Sequence, residues 1–287
     1  MHYKKQKRKQ KDFCNICGRE ADLTWDHVPP KCCNNSYRIK VNSWPEGMPK
    51  ENSYEKEYQS GIKFRSLCSE CNNHLLGINY DTALADFTTQ IMNVLQSESS
   101  VPGCVYIRVK VNRLSRAVCG HILAAKNYYE KDCLVDKQLR EYVLNPTAFP
   151  PEDFSLLYWV YIYSTIAILR DVVVNSTNDI YCTPSSMISI MNSYPIAYVI
   201  TSEKDEKCGL LDLFKYCSSD IDEEIELPID LTSCCFAGTG RPRHFLWPCN
   251  LSDGVDGTNF VLGNENLMNG SKIARHSAES VMKIRKR

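Results

Sequence analysis

Two short cysteine pairs constrain this chain more than any other feature: Cys14-Asn-Ile-Cys17 and Cys68-Ser-Glu-Cys71. A C-x2-C pair sets two thiolates on one tight turn, where both can reach a single tetrahedral ion at ~2.3 Å. Two such pairs complete a closed four-sulfur site. Gly18, directly after the first pair, supplies the backbone freedom that such a turn needs. A closed site has no open coordination position. Zn2+ held by Cys14, Cys17, Cys68 and Cys71 would therefore contribute folding energy rather than catalysis. A redox C-x2-C is the competing reading, but it needs only one pair and a thioredoxin-like βαβ setting.

The rest of the cysteine inventory fits a reducing compartment. The chain has 15 cysteines, an odd number that leaves one thiol over from any full set of internal disulfides. Met1 to Asp12 reads MHYKKQKRKQKD, a basic run without the apolar segment of a secretory signal. The longest largely apolar run, Leu156 to Leu169, is too short to span a bilayer. The expectation is a cytoplasmic protein with no membrane segment.

Formal net charge is zero, with 34 basic and 34 acidic residues, yet the charge is graded along the chain. Residues 1–80 carry an excess of five positive charges, and the remainder an equal excess of negative ones. Lys4, Lys5, Lys7, Arg8, Lys9 and Lys11 form a basic arm suited to a polyanion, because each phosphate contact releases a condensed counterion. A solvated terminus is the plain alternative, for this arm and for the C-terminal Lys283–Arg287 alike. Glu203 to Asp230, rich in acids, reads as a solvated face or loop.

At 287 residues and 43% hydrophobic content, the chain suits one large domain or two ordinary ones. Ser97–Gly103 is a polar turn cluster that marks a break, separating a domain of residues 1–97 from one of residues 104–287. Before the break, Tyr80, Ala83, Leu84, Phe87, Ile91, Met92 and Leu95 fall at helical spacing, with Asp81 as the N-cap. After it, Val105–Val111 alternates as a strand, and helices are expected over Leu114–Tyr129, Lys137–Leu144 and Pro151–Asp171. The β-branched and aromatic content of the last keeps a strand open there. Short strands follow at Ile188–Met191, Ala197–Thr201 and Glu224–Leu227. The fold class is α+β.

What lies between and after the cysteine pairs carries the chemistry. Trp25-Asp26-His27-Val28-Pro29-Pro30-Lys31 follows the first pair. On a strand, Asp26 and His27 point to opposite faces, so one can bind a hard metal ion while the other meets substrate or water. The two prolines then force the chain into a fixed loop. Asn72-Asn73-His74-Leu75-Leu76-Gly77 follows the second pair and reads as a helix start pinned by the same zinc.

C-x2-C, then Asp-His with a proline beyond, then Leu-Cys-x2-Cys-Asn opening a helix, resembles the HNH endonucleases over about residues 12–80. The resemblance implies a ββα-metal core inside a treble-clef zinc finger. It implies His27 as the general base that takes a proton from the attacking water, which suits an imidazole at neutral pH. It implies Asp26 and Asn72 as ligands of a catalytic divalent ion such as Mg2+, with Asn73 or His74 replacing Asn72 if the helix is rotated. The ion would contact the scissile phosphate, and products would carry 5′-phosphate and 3′-hydroxyl ends. The family's middle Asn has no counterpart in Gly61–Leu67, and Asn42 and Asn52 lie upstream. Lys63 and Arg65 can hold the phosphate.

The function expected is metal-dependent hydrolysis of DNA phosphodiester bonds. A non-catalytic, zinc-dependent nucleic-acid-binding module is the alternative, and the Asp26–His27 pair argues against it, because a binder needs no such pair. A third class is an effector nuclease that a ligand or protein partner of residues 104–287 licenses, as in bacterial anti-phage and restriction proteins, by analogy. Other features rank lower. Cys32-Cys33 competes poorly for zinc, and Cys119-Gly-His121 lies on a helix where positions two apart do not share a face. Cys234-Cys235, His244 and Cys249 form a weak second metal candidate, and Gly238-Thr-Gly240 a basic turn. The helix from Leu114 packs in the core, with Arg113 and Arg116 near nucleic acid.

Overall fold

The computed structural model describes residues 8–37, 39–42, 55–97, 103–161, 166–175, 185–202, 210–231 and 261–263. Asn52, Cys234, Cys235, Gly238, Gly240, His244, Cys249 and the basic stretches 1–7 and 283–287 lie outside them. The class is α+β, and no helix among the described residues is long and apolar enough to cross a membrane.

The chain begins with β1 (Lys11–Phe13), the Cys14–Gly18 turn and β2 (Glu20–His27). Gly18 adopts φ +68°, in the left-handed region, and a Cβ there would sit 2.7 Å from the Tyr129 hydroxyl. Beyond β2 the chain leaves this sheet for a hairpin, β3 (Ile39–Asn42) and β4 (Glu55–Tyr58), and returns as β5 (Lys63–Cys68). β1, β2 and β5 form a three-stranded antiparallel sheet with β2 central. The excursion accounts for the long spacing between the cysteine pairs.

From Glu70 the chain winds as a widened, π-type helical segment to Tyr80 and continues without a break into α1 (Asp81–Gln96). The apolar stripe expected for α1 is buried: Ala83, Leu84, Phe87, Ile91 and Leu95. Asp81 does not cap it. The helix arrives from upstream with its amides already engaged, so no free N-terminus exists for Asp81 to satisfy.

β6 (Cys104–Lys110) leads directly into α2 (Val111–Ala124), which packs on α1, and α3 (Leu134–Leu144) packs on α2. The start of α2 lies a few residues ahead of the expected Leu114. The expected helix over Pro151–Asp171 is not formed. β7 (Ser155–Val160) and β8 (Ala167–Asn175) take its place, followed by β9 (Ser185–Ser193) and β10 (Ile196–Thr201). β11 (Leu211–Asp212), β12 (Glu224–Asp230) and β13 (Val261–Gly263) complete the set. A large antiparallel sheet runs β11-β7-β10-β9-β8-β13-β3-β4, and β6 pairs with β12 as a separate ribbon.

The strand that the β-branched and aromatic content leaves open is the one formed, and burial on both faces is why the stretch also reads as a helix. Leu156, Tyr158, Val160, Ile196, Tyr198 and Ile200 enter the main core, whereas Trp159, Tyr161, Ala197 and Val199 form a second cluster. Strands apolar on both faces lose the alternation that distinguishes them from a buried helix.

The main core is continuous from Cys14 and Leu67 through Leu76, Phe87, Val118 and Tyr142 to Leu231. Buried charges brace it. Arg116 is enclosed and bonds the carbonyls of Tyr142, Asn145, Pro146 and Ala148 with its guanidinium 4.0 Å from the Tyr142 ring. It therefore caps the end of α3 and cannot meet nucleic acid. Arg113 is committed to Asp222 and the Asn79 carbonyl. Arg8, of the basic arm, is likewise bonded to Asp12, Asn15 and the Phe13 carbonyl.

Candidate functional site

The first centre is the cysteine knuckle. Cys14 and Cys17 come from the turn after β1, Cys68 ends β5, and Cys71 opens the helical segment. Their sulfurs all lie within 4.8 Å of one another. Cys17 and Cys68 are 3.8 Å apart, which matches the edge of a tetrahedron whose centre lies ~2.3 Å from each sulfur. The four thiols could hold a metal such as zinc. Their mutual contact shows in their acidities: a hydrogen bond from Cys71 draws Cys14 down to about 5, while Cys71 is pushed well up by the same bond and by burial. Asn15, inside the first pair, ties the knuckle to the end of α2. Its Nδ2 donates to the carbonyls of Leu123 and Lys126, each at 3.0 Å.

The second centre lies where β2 ends beside α1. Pairing of β2 with β5 shifts register between Thr24 and Trp25, where Ser66 of β5 is passed over, and along β2 the buried positions are Leu23 and Asp26. Trp25 is instead 55% exposed, with the Arg65 guanidinium 4.6 Å from its ring.

His27, next on the strand, is oriented by the Ser60 carbonyl at 3.0 Å from Nε2. A carbonyl only accepts, so Nε2 carries the proton and Nδ1 is left as the ring's acceptor. Burial lowers the pKa of His27 below the ordinary imidazole value, with Lys63 and Lys31 adding to the effect against the Ser60 bond and Asp26. The ring is neutral and basic at physiological pH. The group that orients the ring is thus a backbone carbonyl, which side-chain identity could not reveal.

Asn72 is not brought to Asp26. Its Nδ2 donates to Thr24 Oγ1 at 2.9 Å and to the Trp25 carbonyl at 3.3 Å, fastening the helical segment to β2. Asn73 bonds Ser69, and His74 is exposed. The helical residue that faces Asp26 and His27 across the cleft is Asp81, and Lys31 and Cys32 line the same cleft. Cys33 turns away, toward Thr88 at 3.5 Å.

Between the two carboxylates stands His121 from α2. Nδ1 lies 3.1 Å from Asp26 Oδ2 and Nε2 lies 2.9 Å from Asp81 Oδ1. Burial alone would discharge the ring, but the carboxylates of Asp81 and Asp26 outweigh it and raise its pKa well above the ordinary value. Helix α2 comes this close because residue 120 is glycine: a Cβ there would meet Leu76 Cδ2 at 2.4 Å.

Sequence reasoning missed both Asp81 and His121, and for both a signal was present. Asp81 lies in register with the stripe Leu84, Thr88, Ile91, and His121 with Leu114 and Val118, all buried. A charged or titratable residue in an apolar stripe must have a buried partner. Comparison of the chain with protein-family models, with curated proteins and with solved structures found no significant match.

Proposed function

We propose that this protein is an HNH-type, metal-dependent endonuclease that hydrolyses phosphodiester bonds, with DNA as substrate. The observation that carries the reading is the convergence of Asp26, His27 and Asp81 on one cleft, whose helical wall continues from the segment that Cys71 of the four-thiol knuckle opens. In this reading residues 12–80 form a treble-clef finger around a structural Zn2+, and the protein works in the cytoplasm.

Two carboxylates from separate elements suit a hard divalent ion such as Mg2+, which prefers oxygen ligands. Asp26 and Asp81 would hold it. Bound there, the ion would stabilise the charge developing on the leaving 3′ oxygen. His27 accepts a proton from the attacking water at Nδ1, while the Ser60 carbonyl keeps the ring turned toward it. Lys31, on the cleft, and Lys63, paired across the sheet with His27, supply positive charge for the phosphate. Asn72 is a staple in this arrangement rather than a ligand.

The test uses plasmid DNA, with the protein and its His27→Ala variant, in Mg2+ or in EDTA. Cutting by the wild type in Mg2+, lost in EDTA and reduced about 10²–10⁴-fold in the variant, is expected. Equal cutting by the variant would sink the role of His27. A non-catalytic nucleic-acid-binding module is the second reading, favoured by Trp25, whose exposed ring, backed by the half-buried Arg65 guanidinium, offers a surface to a base. Binding without cleavage under all conditions would select it.

A further inference from the structure

We propose that His121 is a positioning residue of the cleft: it holds Asp26 and Asp81 in the pose that receives one divalent cation, so the centre is complete only when α2 is docked. The inference rests on the nuclease reading above and adds to it a part supplied by the downstream half of the chain.

Asp26 stands on β2 and Asp81 on α1, and His121 bonds both. Each ring nitrogen meets one acid, so the planar ring fixes the two acids at one separation. The bridge uses Oδ2 of Asp26 and Oδ1 of Asp81, so one oxygen of each acid lies outside it. Side-chain exposure rises from 1% at His121 to 8% at Asp26 and 23% at Asp81, so the ring lies behind the acids as seen from the cleft. His121 is too deep to touch substrate and acts through them. Groups that orient ligands from behind set their geometry and charge.

The placement of His121 is itself determined from two sides. Gly120 admits α2 against Leu76, on the helical segment that leads to Asp81. Asn15 fastens the end of α2 to the cysteine knuckle. Knuckle, helix and cleft are therefore registered to one another through α2.

Mn2+ can stand in for the catalytic ion, and its binding to the full-length protein is measurable by electron paramagnetic resonance without nucleic acid. His121→Ala is expected to keep its knuckle zinc and its cooperative unfolding but to bind Mn2+ about ten- to a hundredfold more weakly. His121→Gln, which can donate to one acid but not span both, should fall between. Unchanged Mn2+ affinity in His121→Ala, with binding lost in Asp26→Asn, overturns the role of His121 and leaves the nuclease reading standing. Mn2+ affinity indifferent to Asp26→Asn overturns the metal assignment beneath both. If neither His121 variant retains zinc, the wild type decides. Its 15N-histidine ring signals assigned to His121 should shift on adding Mg2+, and signals that stay fixed overturn the proposal.

Discussion

Helix α2 and the turn after it carry two buried charged centres little more than a helical turn apart, and they follow opposite plans. Around Lys126 charge is matched. Lys126 Nζ bonds Asp136 Oδ2 at 2.8 Å, and Arg170 Nη2 bonds Asp136 Oδ1 at 2.6 Å. Asp171 accepts from both cations, Glu130 from Lys126, and Arg140 reaches the Asn15 carbonyl at 2.8 Å. Lys126, Arg170 and Asp136 are at most 2% exposed. Around His121, two carboxylates face one imidazole and a cleft. Depth of burial is similar at the two rings of charge. What separates a staple from a candidate site is whether the anions are all answered by cations and whether the cluster opens outward.

Stripping metal from the knuckle should have the largest effect on both centres, since Asn15 links the knuckle to each. Structural zinc is worth an apparent ~10–16 kcal/mol in small fingers, so chelation should abolish cooperative melting followed by circular dichroism, and added Zn2+ should restore it. A melt untouched by complete metal removal would end the comparison at its root. Next comes a pair of substitutions with opposite signatures. Asp136→Asn removes the most deeply buried anion of the cluster and leaves Lys126 and Arg170 to share Asp171, so it should cost about 3–5 kcal/mol in urea unfolding while leaving Mn2+ affinity near the wild-type value. Asp26→Asn relieves an acidic excess, so stability should change by less than about 1 kcal/mol while Mn2+ binding and cleavage are lost. Equal stability losses in the two would erase the distinction. The smallest effect is expected of Gly120→Ala, where only the tip of Leu76 must yield. A cost of about 1 kcal/mol in melting, with slower cleavage as His121 is pushed back, would sharpen the link between helix packing and the cleft.

The parts legible in the sequence were those with local rules. The paired cysteines and the stripe of α1 follow from spacing alone, and the structure brings the four sulfurs together; the strand that ends in Asp26-His27 enters the sequence reading only as a condition, which β2 meets. The strands β7 and β8 were hidden because both their faces are buried. The resemblance implies a ligand at Asn72, next to Cys71, but its Nδ2 donates to Thr24, and the cleft is lined by Asp81 instead. His121 was set aside by pairing it with Cys119, when its partners lie 95 and 40 positions away. Contacts at that distance depend on tertiary packing, which no window of neighbouring residues contains.

Among the described residues the hairpin β3–β4 joins the large sheet through β13, a strand some 220 positions further along the chain. During synthesis the hairpin therefore emerges early and waits for its neighbour until most of the polypeptide has been made. A product cut short before Val261 would leave the hairpin unpaired with the rest of the sheet and would bare the pairing edges of both β3 and β8. Two open edges in one molecule invite intermolecular strand pairing, so truncated chains of this protein should be sticky before they are merely inactive.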